Sequence, residues 1–256
     1  MATMKQRLQQ GEPILGTFIS IVDHGDIVRI MQQAGFDFIV IDNEHGYMDY
    51  SKTAAMIGLA RALDIGIMVR IPECRREVIL KYMEMGAQGL LLPCCDTAED
   101  AKALVQYAKY APEGNRGVAL YRAHTQYKPL KSGVEYMQQT NDETLLIGQI
   151  ESATAVKNVG EILDVDGLDG VFIGPNDLSQ GLGIYGQMQN PVLLDAIGTV
   201  LQQTKMRQGK YAGIFSGGAP EEMKEWIKRG MQVNLYASET TLVMNAAKDA
   251  VSRIKA

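Results

Sequence analysis

Cysteine is nearly absent from this chain: Cys74, Cys94 and Cys95 are the three in 256 residues. They show neither a metal-ligand spacing nor a disulfide framework, so they read as reduced thiols and the fold must rest on its core. Histidine is as scarce, at three, so nitrogen and sulfur ligands are few. An excess of basic charge is missing too. Lys and Arg number 25 against 30 Asp and Glu, a net charge of -5 with a pI near 5.3, which argues against nucleic acid or an anionic membrane as the main partner. No apolar run approaches the roughly 18 residues that a membrane span needs. The first residues, MATMKQRLQQGEP, lack the apolar core of a signal peptide. A cytoplasmic protein that contacts neither membrane nor nucleic acid is expected.

What is present is ordinary for a globular protein, with 46% hydrophobic and 21% charged residues, enough to bury a sizeable core. Apolar strand-like runs recur at 14–19, 37–41, 66–69, 89–92, 145–150, 170–173, 211–215 and 232–236. Stretches of helical period separate them, at 27–33, 52–63, 78–85, 98–110, 153–163, 193–206 and 221–228. Eight strands alternating with helices predict an α/β fold with a parallel sheet closed into a (β/α)8 TIM barrel, and 256 residues suit one such barrel over 1–256. Glycines repeat in step with this pattern. Gly35, Gly86, Gly167 and Gly230 precede the even strands, where a helix end favours a left-handed residue, and Gly16, Gly66, Gly148 and Gly213 lie inside the odd ones. That is four copies of a two-strand unit.

The run LLIGQIE at 145–151 and its echo VFIGPND at 171–177 each end abruptly in polar groups. On a strand, Gln149 and Glu151 share a face and Ile150 points away. Two carboxylates, Glu151 and Asp177, suit a hard divalent cation that keeps positions for water and substrate; equally, both could merely cap the following helices. Other strands end in Asp42-Asn-Glu44-His45, Arg70 and Asn176-Asp177, so a cation site, a guanidinium and an imidazole meet at the C-terminal mouth, where barrel sites lie. His45 alone could be a core histidine, and Arg70 an ion-pair partner of Glu44 or Glu73. Two long segments, 111–132 carrying His124 and the glycine-rich 178–191, are expected over that mouth. The SGGAP segment after the seventh strand, 216–220, reads as an anion nest or as a plain helix cap.

Asp42-x-Glu44-His45, Val69-Arg70, Pro112-x-Gly114-x-Arg116-Gly117, Gln149-x-Glu151 and Gly174-Pro-Asn-Asp177-Leu-Ser179 stand in an order and spacing that resembles the HpcH/HpaI aldolase family, from about Gly16 to Tyr236. The family comprises metal-dependent class II pyruvate aldolases on (β/α)8 barrels of the phosphoenolpyruvate/pyruvate superfamily. The resemblance implies that Glu151 and Asp177 bind Mg2+, Mn2+ or Co2+, that pyruvate chelates the metal, and that Gln149 and the backbone around Asn176 hold its carboxylate. Arg70 would then steady the enolate oxygen, His45 would take the proton from the C4 hydroxyl of a 4-hydroxy-2-oxo acid, and no Schiff-base lysine is needed. Glu84 stands where the family usually has an Asp that raises the basicity of the histidine. It lies near the end of its helix, away from its own mouth, so it would serve a neighbouring subunit or depend on a kink. His124 falls in the loop that contacts the distal part of substrates. That loop is shorter here and has Ala119 where a second glycine is common, which bears on the aldehyde partner. Glu239 follows the last strand, a further small departure from the pattern. Trimers or hexamers, with the terminal helix at 240–254 in the contacts, are also implied. Two other readings remain open: a lyase, decarboxylase or hydrolase on another 2-oxo acid, and a barrel that binds a metal–carboxylate complex without turnover.

Overall fold

The computed structural model describes residues 2–256. Helix α1 (Met4–Gln9) precedes strand β1 (Ile14–Ile19), α2 (Asp26–Gln33) and β2 (Phe38–Asp42). Then come α3 (Tyr50–Ala62), β3 (Gly66–Arg70), α4 (Arg76–Met85), β4 (Gly89–Leu92) and α5 (Ala98–Ala108). A 3-10 turn at Ala123–Thr125 and α6 (Gly133–Glu143) lead into β5 (Leu145–Ile150), α7 (Ala153–Leu163) and β6 (Gly170–Ile173). The chain finishes with α8 (Pro175–Gly181), α9 (Pro191–Lys205), β7 (Tyr211–Ser216), α10 (Pro220–Arg229), β8 (Val233–Ser238) and α11 (Glu239–Lys255). All eight strands pair in parallel, in sequence order, and β8 returns to β1, so the sheet is a closed barrel. The expected (β/α)8 architecture is therefore the one observed. No helix among the described residues is long and apolar enough to cross a membrane.

Strand parity sorts the core into two parts. Ile39, Ile41, Ile67, Val69, Leu146 and Ile150 face outward onto the helices, whereas Ile14, Phe38, Val40, Met68, Leu145, Ile147, Phe172 and Leu235 fill the barrel. Pairing register explains the glycines of the odd strands. Gly16, Phe38 and Gly66 are direct partners across β1, β2 and β3, and a Cβ on Gly16 would lie 2.7 Å from the Phe38 ring. One large ring thus occupies the volume left by two flanking glycines, which is how a closed barrel stays packed at native density. Gly213 makes the same room for Phe172. Gly148 does not belong to this set: its parity is outward, and its close neighbour is the Sγ of Cys95. The four glycines before the even strands all have positive φ, as a helix stop requires.

At the seam, Glu239 is fully buried and its Oε1 accepts the backbone N–H groups of Ser20, Ile21 and Val22 at 2.9, 2.7 and 3.2 Å. The first residue of the last helix therefore shapes the loop that follows the first strand.

Gly16→Ala should lower the free energy of unfolding by about 1–3 kcal/mol through overpacking, read from the urea midpoint. Phe38→Leu in the same chain should recover part of that loss, because the two substitutions share one volume.

Candidate active site

Asp42 and Arg70 end adjacent strands in direct register, and their inward parity brings them side by side at the C-terminal mouth. Arg70 Nε donates to Asp42 Oδ1 at 2.9 Å and Nη2 to Oδ2 at 2.6 Å, both groups being buried. Nη1 lies 3.1 Å from Glu44 Oε2, and the guanidinium sits 4.6 Å over the Phe18 ring. Asp42 Oδ1 also accepts the backbone N–H groups of Glu44 and His45 at 3.1 and 3.2 Å, so the turn carrying the imidazole is wrapped around this carboxylate. Burial alone would raise the Asp42 carboxyl, but the hydrogen bonds and charge of Arg70 and the two N–H groups outweigh it and hold it below its ordinary range. The sequence left Glu44 or Glu73 as partners for Arg70. The structure adds Asp42 and keeps Glu44, while Glu73 pairs with Arg75.

His45 is the exposed member of the group: its side chain is 65% accessible, with Nε2 3.9 Å from Glu44 Oε2. It can therefore meet a substrate directly.

Across the mouth, Gln149 and Glu151 share the parity of the interior residues Leu145 and Ile147, as their spacing implies, while Ile150 packs outward. Glu151 Oε1 accepts the backbone N–H of Cys94 at 2.6 Å, and the Gln149 amide donates to Oε2. Gly174 is needed beside them, since a Cβ there would stand 2.9 Å from Gln149 Nε2 and 3.0 Å from Glu151 Oε2. Carboxylate oxygens of Glu44 and Glu151 and the Cys94 thiol lie within 4.8 Å of one another. Burial, then the Glu151 charge against the counteracting Arg70, raises the Glu44 carboxyl; burial followed by Glu151 pushes the Cys94 thiol up to about 12, so the sulfur stays protonated.

A cleft of about 360 Å3 joins both sides, lined by Asp42, His45, Arg70, Gln149, Asn176 and Asp177 among others. Asn176 and Asp177 enter from the first turn of α8 and are exposed. Of the residues singled out from the sequence, this cleft gathers six, with Glu151 directly behind Gln149. A divalent cation fits these donors: Glu151 stands behind the cleft that Asp177 lines, and a Glu44 carboxylate oxygen within 4.8 Å of Glu151 adds a third carboxylate. Gln149 Oε1 is buried without a hydrogen-bond partner, and the donors are mainly hard oxygens.

His124 and Glu84 are elsewhere. Helix α5 starts just after β4 and runs back along the barrel, and Arg116, His124 and Gln126 of the segment 111–132 share cavities with α1, Gly66 and Gln88 at the N-terminal end of the strands, away from the mouth. The Cα of His124 approaches Gly86, which caps α4, and its ring is buried between Tyr136 Oη (2.7 Å) and the Ala119 carbonyl (3.0 Å). Burial, followed by the charges of Arg116, Arg61 and Arg122 acting against the Ala119 hydrogen bond, pushes the imidazole down to about 4. It is a neutral structural pin. Glu84, the penultimate residue of α4, is at the same end and acts by charge on Arg116. Residues 178–191 do return to the mouth, where Gln180 and Tyr185 line the cleft. The 216–220 segment leads into α10 with Pro220 in the first turn and no side-chain cap, and Ser216 Oγ donates to Glu222 at 3.2 Å, so the chain's own carboxylate lies against the turn.

Sequence reasoning missed Ser20, Phe18, Phe172 and Phe215 of the cleft lining. Their only signal is inward parity at or just beyond a strand end. It also missed the Cys94 N–H that holds Glu151.

Asp42→Asn should cost about 3–5 kcal/mol at neutral pH, as expected when one half of a buried pair is removed. A depressed carboxyl contributes stability above its unfolded value near 3.9, and that contribution is lost as pH falls through the lower folded value. Denaturation midpoints of the two proteins should therefore differ in full above about pH 5, begin to approach each other near pH 4, and converge only below the lowered folded value of Asp42.

Comparison with known proteins agrees with this geometry. The family profile described as HpcH/HpaI aldolase/citrate lyase matches residues 16–246. A hydroxypyruvate/pyruvate aldolase of Deinococcus radiodurans is 36% identical, covering 99% of this chain and 90% of its own. A 2-keto-3-deoxy-L-rhamnonate aldolase of Escherichia coli is 32% identical over 98% and 92%. Among solved structures, an HpcH/HpaI aldolase from Desulfitobacterium hafniense superposes with a TM-score of 0.95 at 32% identity, covering 99% of this chain and 97% of that one. A closed barrel with these motifs at its strand ends, matched along nearly its whole length, belongs to the HpcH/HpaI aldolase/citrate lyase family.

Proposed function

We propose that this protein is a metal-dependent class II aldolase that cleaves a 4-hydroxy-2-oxo acid to pyruvate and an aldehyde, and runs the reverse addition. One observation carries the reading: the mouth brings a fixed carboxylate–amide pair, Glu151 and Gln149, face to face with a fixed guanidinium, Arg70, and an exposed imidazole, His45. Simple binding of a carboxylate does not require an accessible base beside a locked cation. Relatives named as aldolases support the same conclusion.

Glu151 and Asp177 would hold Mg2+, Mn2+ or Co2+, which when bound supplies Lewis acidity toward the 2-oxo group. Gln149 and the Asn176 turn orient the substrate carboxylate. Arg70, kept in place by Asp42, presents positive charge where negative charge develops on the C2 oxygen as the C3–C4 bond breaks, and one such donor is typically worth on the order of 100-fold or more in rate. His45 removes the C4 hydroxyl proton in cleavage and returns it in addition. Phe18, Phe172 and Phe215 keep the floor of the cleft apolar. Within one barrel His124 and Glu84 do not reach this chemistry, so either acts only on the mouth of a neighbouring copy. An oligomer, trimer or hexamer, is part of the proposal. It is supported by Val243, Met244, Val251 and Ile254, which are exposed along α11, and light scattering should show a species larger than the 28.1 kDa monomer.

Chelator-treated protein with added Mg2+, Mn2+ or Co2+ should exchange the methyl protons of pyruvate in D2O, followed by NMR. Glu151→Ala and Asp177→Ala should abolish exchange, and His45→Ala should slow aldol cleavage by about 100-fold or more. Folded, metal-loaded protein that exchanges nothing would sink the aldolase reading, and decarboxylation of oxaloacetate without aldehyde incorporation would redirect it to another 2-oxo acid lyase.

A further inference from the structure

At the end of the barrel opposite the mouth, the side chain of Arg116 is 4% exposed, and its Nε and Nη2 are buried without a hydrogen-bond partner among the described residues. Its one close contact of note is the Tyr110 ring, with the guanidinium carbon 4.5 Å from the centroid. Glu84 influences it by charge but forms no ion pair with it, and burial lowers its affinity for its proton. An ionised group in this state is costly, by several kcal/mol when no partner compensates it, and buried donors of native proteins almost always have acceptors.

Arg116 lines a cavity of about 210 Å3 between α1, α4, α6 and the 3-10 turn. A second guanidinium, Arg61, lines it too. Arg61 Nη1 donates to the carbonyls of His124 and Ala123, at 2.8 and 3.3 Å, which holds its guanidinium at the wall of the cavity. His124, also in the wall, is neutral above about pH 4, lowered by burial first and then by the charges of Arg116, Arg61 and Arg122. The one carboxylate of the lining, Glu143, accepts from Gln139 at 2.8 Å. Two guanidiniums therefore face a partly enclosed space with a single engaged counter-charge, and the Nε and Nη2 of Arg116 have no hydrogen-bond partner in the fold.

We propose that this cavity is a binding site for a small oxyanion, a phosphate or a short carboxylate, held by Arg116 and Arg61. Planar guanidiniums match such oxygens in pairs, and polar groups of Tyr136 and Thr140 complete the wall. The site lies at the foot of the barrel, beneath α1, so an anion there ties α1 and α6 to the end of α4 and stabilises the native chain without touching the reacting groups.

The test is thermal unfolding of the full chain at constant ionic strength, with inorganic phosphate or acetate exchanged for chloride. Wild type should show a saturable rise of the midpoint, on the order of 5 °C at an anion concentration 100-fold above its dissociation constant. Phosphate alone, acetate alone or both would support the site and identify the anion. Arg116→Met should remove the response while melting no lower than wild type in chloride, because it deletes an unpaired charge at similar volume. Should that variant fail to fold, Arg61→Gln at the rim should weaken the response by about tenfold. No response in wild type to either anion would overturn the proposal, as would an undiminished response in Arg116→Met. A concentration dependence of the midpoint in chloride that is present in wild type and lost in Arg116→Met, with a lower midpoint in the variant, would overturn it in favour of a carboxylate from a second copy.

Discussion

The buried pair of Asp42 and Arg70 is the interaction on which the mouth depends. It joins two adjacent strands at their ends, fixes a guanidinium that would otherwise sample many rotamers, and uses the spare capacity of Asp42 to fold the turn that carries Glu44 and His45. An isolated buried ion pair contributes little net stability once desolvation is counted. Its value here is geometric. Because Arg70 is held on one edge by Asp42 and on another by Glu44, its remaining surface is aimed rather than free.

The barrel below the mouth has a similar economy. Parity decides what each side chain does: one set of alternate residues meets the helices, and the other fills the interior and then, past the last apolar layer, becomes the site. Phe38 between Gly16 and Gly66 shows the packing rule, and Gln149 beside Phe172 in register shows the rule passing from core to chemistry along one strand. Asp42, Arg70, Gln149 and Glu151 are inward residues that happen to lie above the level where apolar side chains suffice.

Most of this was legible in the sequence because strand ends are marked by abrupt changes from apolar to polar residues. The runs at 89–92, 145–150 and 170–173 coincide with the strands observed, and the motif residues fall where those runs stop. What escaped were features whose signal is not local. The short helices α1 and α8 are too brief for a period to show, and α6, with Asn141 as its one buried residue, carries no apolar stripe. The segment with His124 was placed over the mouth because its length resembles a binding loop, yet length says nothing about which end of a barrel a connection occupies. Counting helices does, since a connection that follows α5 must lie at its far end. Gly148 looked equivalent to Gly16 and Gly213 by position, but one residue of parity puts it on the other face.

The carboxylate of Glu239 has a consequence for synthesis. Three amides of the loop after β1 wait for an acceptor that arrives 217 to 219 positions later in the chain. While the protein is being made, the entrance to its cleft therefore remains unfinished until the last strand has left the ribosome and closed against the first. A chain stopped short of α11 would carry nearly every residue of the cleft and still lack the means to order its first loop.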